Sequence, residues 1–343
     1  MMLSSVTNSL LKRNPQPRPP ESERPRVRVA VLGAGRIAEK HLDTLAALDN
    51  VEIAAICNRG NSDLTPIAQK YGIQQTFSDW RKLLDTVQAD TVFVLVSHFQ
   101  TVEVAAECLQ RGIPSLIEKP AGFTSAETAY LADLADKFQC LNMVAVNRRY
   151  YSTISTALRA VQVCGPVMGV AIEAPENIRQ VRATSRHSTE LIDQWLVANT
   201  IHAIDLFRRV GGEVVEVQAM RHRWVDTQPD SFSASLRFEN GALGTFTAHW
   251  QSPSTGWKLV IYGDGVVATL SPLEKGEVKY MDGSVKPLPI SPMDTLFKPG
   301  FYEQNRAFID AVAYGERLAA PASDLRDAVK TMQLIERLGG VDG

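Results

Sequence analysis

Residues 27–41 read VRVAVLGAGRIAEKH: a short β-branched run halts at a glycine, and a helical pattern begins three residues later. A chain can pass from a strand into a helix so abruptly only through a tight turn. Gly33, Gly35 and Ala38 stand in a G-x-G-x-x-A pattern that meets three demands. The first glycine permits the turn, the second lets backbone approach a pyrophosphate, and the small third residue lets helix and strand pack closely. The helix opening at Arg36 and Ile37 then points its N-terminal dipole at that same place, which suits a negative ligand. Strand–turn–helix with this spacing predicts a dinucleotide-binding α/β domain.

The following residues repeat the alternation. VEIAAIC, TVFVLVS, PSLIEKP and NMVAVN read as strands, and LTPIAQKYG, DWRKLLDTV, VEVAAECLQRG and SAETAYLADLADKF as helices, two of them closed by Gly72 and Gly112. Strands apolar on both faces and separated by helices imply a parallel sheet covered on both sides. After about Arg149 the rhythm changes. VMGVAIEA, EVVEVQAMRH, SFSASLRFE, GALGTFTAHW, WKLVIYGD, GVVATLSP and EVKYM follow one another with turns such as ENG, GDG and MDG between them. That succession predicts a large, mostly antiparallel open sheet. One long helix over residues 190–210 interrupts it, and helices over 302–314 and 323–338 end the chain, packing back toward the first domain. The expected organisation is a disordered Pro-, Arg- and Glu-rich tail over 1–25, a Rossmann NAD(P)-binding domain over 26–148, and an α+β substrate and oligomerisation domain over 149–343.

Composition narrows the function classes. With 36 Lys+Arg against 38 Asp+Glu, a formal charge of −2 gives no surplus of cations to neutralise nucleic-acid phosphates or an anionic membrane. No apolar run is long enough to span a bilayer. Cys57, Cys108, Cys140 and Cys164 show no C-x-x-C spacing, so neither a zinc site nor a disulfide framework is expected; reduced thiols in a cytoplasmic protein are. The second strand ends AICNRG, placing Asn58 where an acidic residue would hold both hydroxyls of an adenosine ribose. Asn58 with Arg59 removes a charge that would repel a 2′-phosphate and supplies one that would attract it. NADP(H) is therefore favoured, with NAD(H) possible.

The glycine turn, the EKP of SLIEKP, the strand end VAVNRRY and a helix reading IHAIDLFRRVGG occur in an order that resembles the Gfo/Idh/MocA family (glucose–fructose oxidoreductase, inositol dehydrogenase and relatives). The resemblance runs from about Val27 to the C-terminus. It implies NAD(P)-dependent oxidation or reduction of a sugar, sugar nucleotide, cyclic polyol or similar hydroxylated small molecule, in a homodimer or homotetramer. It carries the family's lysine onto Lys119, beside Glu118, where an ammonium can polarise the reacting oxygen. It sets Arg149 and Tyr150 near the site entrance. The family's strand-end Thr-Pro is replaced by VSHFQT, leaving Ser97 and His98 as cofactor neighbours. Its D-x-G-x-H becomes Ala198-x-Thr200-x-His202: the histidine remains as acid/base and the aspartate is gone.

On a continuous helix, residues four apart share a face, so Ala198 would leave the orienting place beside His202 empty, while Asp205 at i+3 would come within reach. Trp195 and Asn199 would complete a substrate pocket with Arg149 and His202. Arg179, Arg182 and Arg186, in the loop 176–193, offer cations for a phosphate or carboxylate. The retained turn, lysine and histidine favour an enzyme over a cofactor-dependent sensor or assembly partner. A non-redox reaction through transient oxidation is the other alternative.

Overall fold

The structure, a computed structural model, describes residues 23–60, 63–184, 187–225 and 227–340. Most of the expected tail lies outside them. At its described end, Arg24 bonds Asp310 at 3.2 Å and the Pro25 carbonyl accepts from Asn50 at 2.9 Å, so the chain is anchored just before the first strand.

The first half alternates as its sequence pattern requires: β1 (Val27–Leu32), α1 (Arg36–Leu45), β2 (Val51–Cys57), α2 (Thr65–Tyr71), β3 (Gln75–Phe77), α3 (Trp80–Thr86), β4 (Thr91–Val94), α4 (Thr101–Gln110), β5 (Ser115–Glu118), α5 (Ser125–Lys137) and β6 (Asn142–Ala145). All six strands are parallel, in the order β3-β2-β1-β4-β5-β6. The order reverses between β1 and β4, where such sheets open a crevice at their carboxyl edge. β1 and β4 are buried almost throughout because helices cover both faces of the sheet. A 3-10 turn over Asn147–Tyr150 then leads into the second domain.

That domain opens with α6 (Ser152–Cys164), β7 (Gly169–Glu173), α7 (Ile178–Ala183), α8 (Thr189–Asp193), α9 (Trp195–Ala198) and α10 (Ile201–Gly211). It continues through β8 (Val214–His222), β9 (Ser231–Phe238), β10 (Leu243–His249), β11 (Lys258–Gly263), β12 (Val266–Leu270), β13 (Gly276–Tyr280) and β14 (Val285–Pro287). Its eight strands run β14-β13-β12-β11-β7-β10-β9-β8, antiparallel except where β7 meets β10. In β9 and β10 buried and exposed residues largely alternate, so one sheet face packs against α6 and α10 and the other is left open. α11 (Pro292–Leu296), α12 (Phe301–Tyr314) and α13 (Leu325–Gly339) close the chain. Phe308 and Ile309 of α12 join α1 on one face of the parallel sheet, while Leu325 and Ala328 of α13 join α4 and α5 on the other.

Two sequence expectations need correction. α6 was not anticipated: its STISTALRAVQVC carries β-branched residues of modest helix propensity, and the helix is secured by burying Ile154, Ala157, Leu158 and Val161. The single helix expected over 190–210 is three segments. α9 ends at Ala198, and Asn199 and Thr200 intervene before α10 begins.

Ion pairs tie the turn between the two sheets to α10 and α13. Arg149 donates to both oxygens of Asp205, from Nε at 2.6 Å and Nη2 at 2.5 Å, and Nη2 also lies 2.7 Å from Asp327 of α13. Arg208, one turn along α10, donates to Asp327 at 2.5 Å and to Thr331 at 2.9 Å. Removing one member of such a pair strands its partner's charge in a poor solvent. Arg149→Met should therefore lower stability by about 3–5 kcal/mol, read from the urea midpoint. An unchanged midpoint would show that the junction does not depend on this pair.

Candidate active site

Four chain segments deliver side chains to the carboxyl edge of the parallel sheet. After β1, Gly33 holds φ +112°, and a Cβ there would lie 2.2 Å from the Leu95 carbonyl oxygen, so only glycine fits. Gly35 has φ −74° and no heavy atom within 4 Å of the place its Cβ would take. Neither conformation nor packing demands glycine there; close approach by a ligand does. No side chain caps α1, which leaves the Arg36 and Ile37 amides facing that open space. After β2, Asn58 accepts from the Ala34 amide at 3.4 Å and so ties the glycine turn to the second strand, with Arg59 exposed beside it. These features fit a dinucleotide.

After β4, exposed Ser97 bonds Gln100, and half-buried His98 begins a 3-10 turn with its ring 6.3 Å from that of Phe123. Burial, reinforced by Lys119 and His187 and opposed by Glu118, brings the His98 imidazole down to about 4. After β5 come Glu118 and Lys119. His41 of α1 bonds Glu118 at 3.1 Å and Asn305 of α12 at 3.0 Å, and the Lys119 amide donates to Glu118 at 3.1 Å. Burial works to raise the Glu118 carboxyl, but His41, Lys119 and Lys298 together hold it below its ordinary range.

Lys119 reaches across the domain boundary. Its Nζ donates to the Ala198 carbonyl at 2.6 Å, a group free to accept because α9 ends there. Burial is the main cause that lowers this ammonium to about 8; Lys298 and Arg148 push the same way and Glu118 opposes. His202, in the first turn of α10, is buried, and its Nδ1 has no hydrogen-bond partner among the described residues. Burial, then Lys119, Arg148 and Lys298, hold its imidazole well below the usual value. Asn199 donates at 2.7 Å to Glu176, which also accepts from Trp257 Nε1 at 3.0 Å. Arg148 lies over the Trp257 ring, 3.5 Å from its centroid. Trp195 is buried with its ring 5.5 Å from His187 and with Nε1 unpartnered among the described residues.

The structure thus gathers Gly33, Gly35, Arg36, Ile37, Asn58, Arg59, Ser97, His98, Glu118 and Lys119 along one sheet edge, with His202, Asn199 and Trp195 on the elements that face Lys119. It does not bring Arg149 into the pocket as a free cation, because Asp205 and Asp327 take up its guanidinium. Asp205 does not meet His202 Nδ1 either: Arg149 and Thr331 engage its oxygens, and that nitrogen has no partner among the described residues. Nor does Ala198 mark a vacant i−4 neighbour on a continuous helix; its contribution is a backbone carbonyl.

Arg179 bonds Gln251 and Arg182 lies near Asp193, both toward the surface; Arg186 lies outside the described residues. Sequence reading passed over Arg148, Glu176, Trp257, Lys298 and His41. The tandem arginines of NRRY were the available signal, but a 3-10 turn aims successive residues apart and sequence alone does not say which faces the site. Among the described residues no three His, Cys, Asp or Glu group to hold a metal, and no helix is long and apolar enough to cross a membrane.

A glycine turn at the switch point of a parallel sheet, with a lysine at the end of β5 on the same edge, defines a dinucleotide-binding fold. Residues 27–146 match the family described as "Oxidoreductase family, NAD-binding Rossmann fold", and residues 158–268 match the "GFO/IDH/MocA C-terminal domain". The chain belongs to the Gfo/Idh/MocA family of oxidoreductases. It is 23% identical over 319 residues to 4-carboxy-2-hydroxymuconate-6-semialdehyde dehydrogenase of Sphingobium sp., covering 90% of this chain and 98% of that one. It is 24% identical over 326 residues to D-xylose 1-dehydrogenase (NADP(+)) 2 of Haloferax volcanii, covering 90% and 95%. Levoglucosan dehydrogenase in complex with NADH shares the fold at a TM-score of 0.79 and 18% identity, over 91% of this chain and 96% of that one. A dehydrogenase from Chromobacterium violaceum does so at 0.82 and 19%, over 93% and 95%.

The neutrality of His202 has a measurable consequence. The unfolded chain protonates this histidine near its ordinary value of about 6.5 while the folded chain does not, so stability must fall as pH drops below that point. Between about pH 6.5 and the lower folded value, wild type should lose roughly 1.4 kcal/mol more per pH unit than His202→Asn in urea unfolding. Parallel slopes for the two proteins would mean that His202 is protonated when folded.

Proposed function

We propose that this chain is an NAD(P)-dependent dehydrogenase that oxidises, or in reverse forms, a secondary alcohol on a hydroxylated small molecule such as a sugar or cyclic polyol. The observation that carries this reading is Lys119: a half-buried lysine brought down to about 8, placed at the sheet edge where the dinucleotide turn opens and fixed by a carbonyl from the opposite domain. A bound nicotinamide supplies the hydride acceptor or donor.

Lys119 does the work at the oxygen. Held by the Ala198 carbonyl, its Nζ keeps its remaining hydrogens or lone pair for the reacting hydroxyl. A value near neutrality lets it take the proton during oxidation and return it during reduction. His202 is the second group at that oxygen. Burial and the cations Lys119, Arg148 and Lys298 disfavour its imidazolium, so it serves as a neutral hydrogen-bond partner until a negative charge enters. Burial of Trp195 and Ala198 limits water beside them.

Cofactor choice rests on Asn58 and exposed Arg59, which suit a 2′-phosphate, and we assign NADP(H) over NAD(H) on that basis. The family relative from Haloferax volcanii carries NADP(+) in its name, and levoglucosan dehydrogenase has been captured with NADH, so the family accommodates both. The exposed sheet face carrying Met220, Leu243 and Tyr262 is where we place the contact of a homodimer or homotetramer.

Lys119→Met should cut kcat by about 10²–10⁴-fold while NADPH binding, followed by fluorescence, changes little. In wild type, kcat/KM for alcohol oxidation should rise with pH through about 8, as the amine loses its proton. The same titration should show NADPH binding tighter than NADH. Full turnover in Lys119→Met would end this assignment, and tighter NADH would reverse the cofactor preference.

A further inference from the structure

The site holds more positive charge than its own carboxylates neutralise. Lys119 donates to a carbonyl, Lys298 stands at the rim with its Nζ 4.7 Å from the Phe301 ring centroid, and Arg148 lies over Trp257. Among the described residues none of the three has a carboxylate within salt-bridge distance. Two carboxylates stand nearby, and both are engaged by other groups: Glu118 by His41 and the Lys119 amide, Glu176 by Asn199 and Trp257.

Arg148 is the informative member. The Trp257 ring covers one face of the guanidinium and leaves its N–H groups to find acceptors elsewhere. Burial disfavours its charge and Tyr151 and Glu176 act to hold it, while Nη1 is shielded from solvent and bonds nothing among the described residues. An arginine nitrogen buried without a partner is costly, and the arrangement makes sense when an acceptor arrives from outside the chain.

A short relay links this nitrogen to the reacting end. Arg148 stacks on Trp257, Trp257 and Asn199 share Glu176, and Ala198, next to Asn199, anchors Lys119. Thr200 Oγ1 and His202 Nδ1, on the same short stretch, are also buried and unpartnered among the described residues. The pocket therefore has a proton-handling end at Lys119 and His202 and an anion-accepting end at Arg148.

We infer that the substrate is a hydroxy acid: its carboxylate accepts from the unpartnered Nη1 of Arg148 while the hydroxyl to be oxidised sits at Lys119 and His202. This rests on the dehydrogenase reading for the hydroxyl and adds the carboxylate. It also answers the electrostatics of His202, because a carboxylate offsets the surrounding cations and makes the imidazole a better base once substrate is bound. The other source of the same anionic chemistry is a phosphate of the dinucleotide.

Binding separates these cases without needing turnover. Wild type saturated with NADPH is titrated with glycerate, gluconate and galacturonate, and with the uncharged glycerol, sorbitol and galactose, following the rise in Tm. At least one acid should bind about 10- to 100-fold more tightly than its uncharged counterpart. Arg148→Met should erase that difference and leave NADPH affinity unchanged, while Arg148→Lys, which keeps the charge, recovers part of it. The uncharged compounds binding as well as the acids would overturn the inference. So would Arg148→Met weakening NADPH while the acid preference persists, since the anion would then be the cofactor's phosphate. If the acids bind through Arg148 but none is oxidised by NAD(P)+, the carboxylate assignment stands and the dehydrogenase reading fails.

Discussion

The buried pairing of Arg149 with Asp205 is the constraint on which the rest of this structure depends. Arg149 ends the segment that leaves the parallel sheet, Asp205 sits in the middle of α10, and Asp327 and Thr331 bring α13 into the same knot. Fixing α10 fixes His202 three residues before Asp205, and fixing the Asn147–Tyr150 turn fixes Arg148 one residue before Arg149. The positions of His202 and Arg148 are thus both set by this one pair. Its charges are shielded from water and each is bonded more than once, the condition under which a buried pair is tolerated and gives a junction a single geometry.

Break points in the helical segment 189–211 matter as much as the helices. A continuous helix would use the Ala198 carbonyl internally, and Lys119 would have nothing to hold it. Ending α9 at Ala198 frees that carbonyl for the lysine and turns Asn199 toward Glu176. A backbone group therefore supports the lysine from the domain opposite the sheet edge. The contact uses the backbone of Ala198 and not its side chain, so it depends on the interruption of the helix there.

Much of the architecture was legible in the chain. A glycine turn whose first residue needs φ +112° and whose second needs open space around it announces a dinucleotide loop, and apolar strands between amphipathic helices announce a parallel sheet. The switch to closely spaced alternating strands near Arg149 announced the second sheet. What escaped were features decided by tertiary contact. α6 is made by burial against the second sheet rather than by propensity. The relation of Ala198, Asp205 and His202 was drawn on an unbroken helix and fails where the helix breaks. Of two adjacent arginines, Arg149 is neutralised at the junction, whereas Arg148 keeps an unpartnered Nη1 among the described residues.

The most direct measurement of the central claim, hydride transfer at this site, follows an isotope. Wild type is incubated with NADPH deuterated at C4 of the nicotinamide and a panel of keto and aldehyde compounds, both acidic and neutral, and the products are examined by mass spectrometry. The account predicts an alcohol product carrying the deuterium on the former carbonyl carbon. Cofactor that binds while no product in the panel acquires deuterium would contradict it.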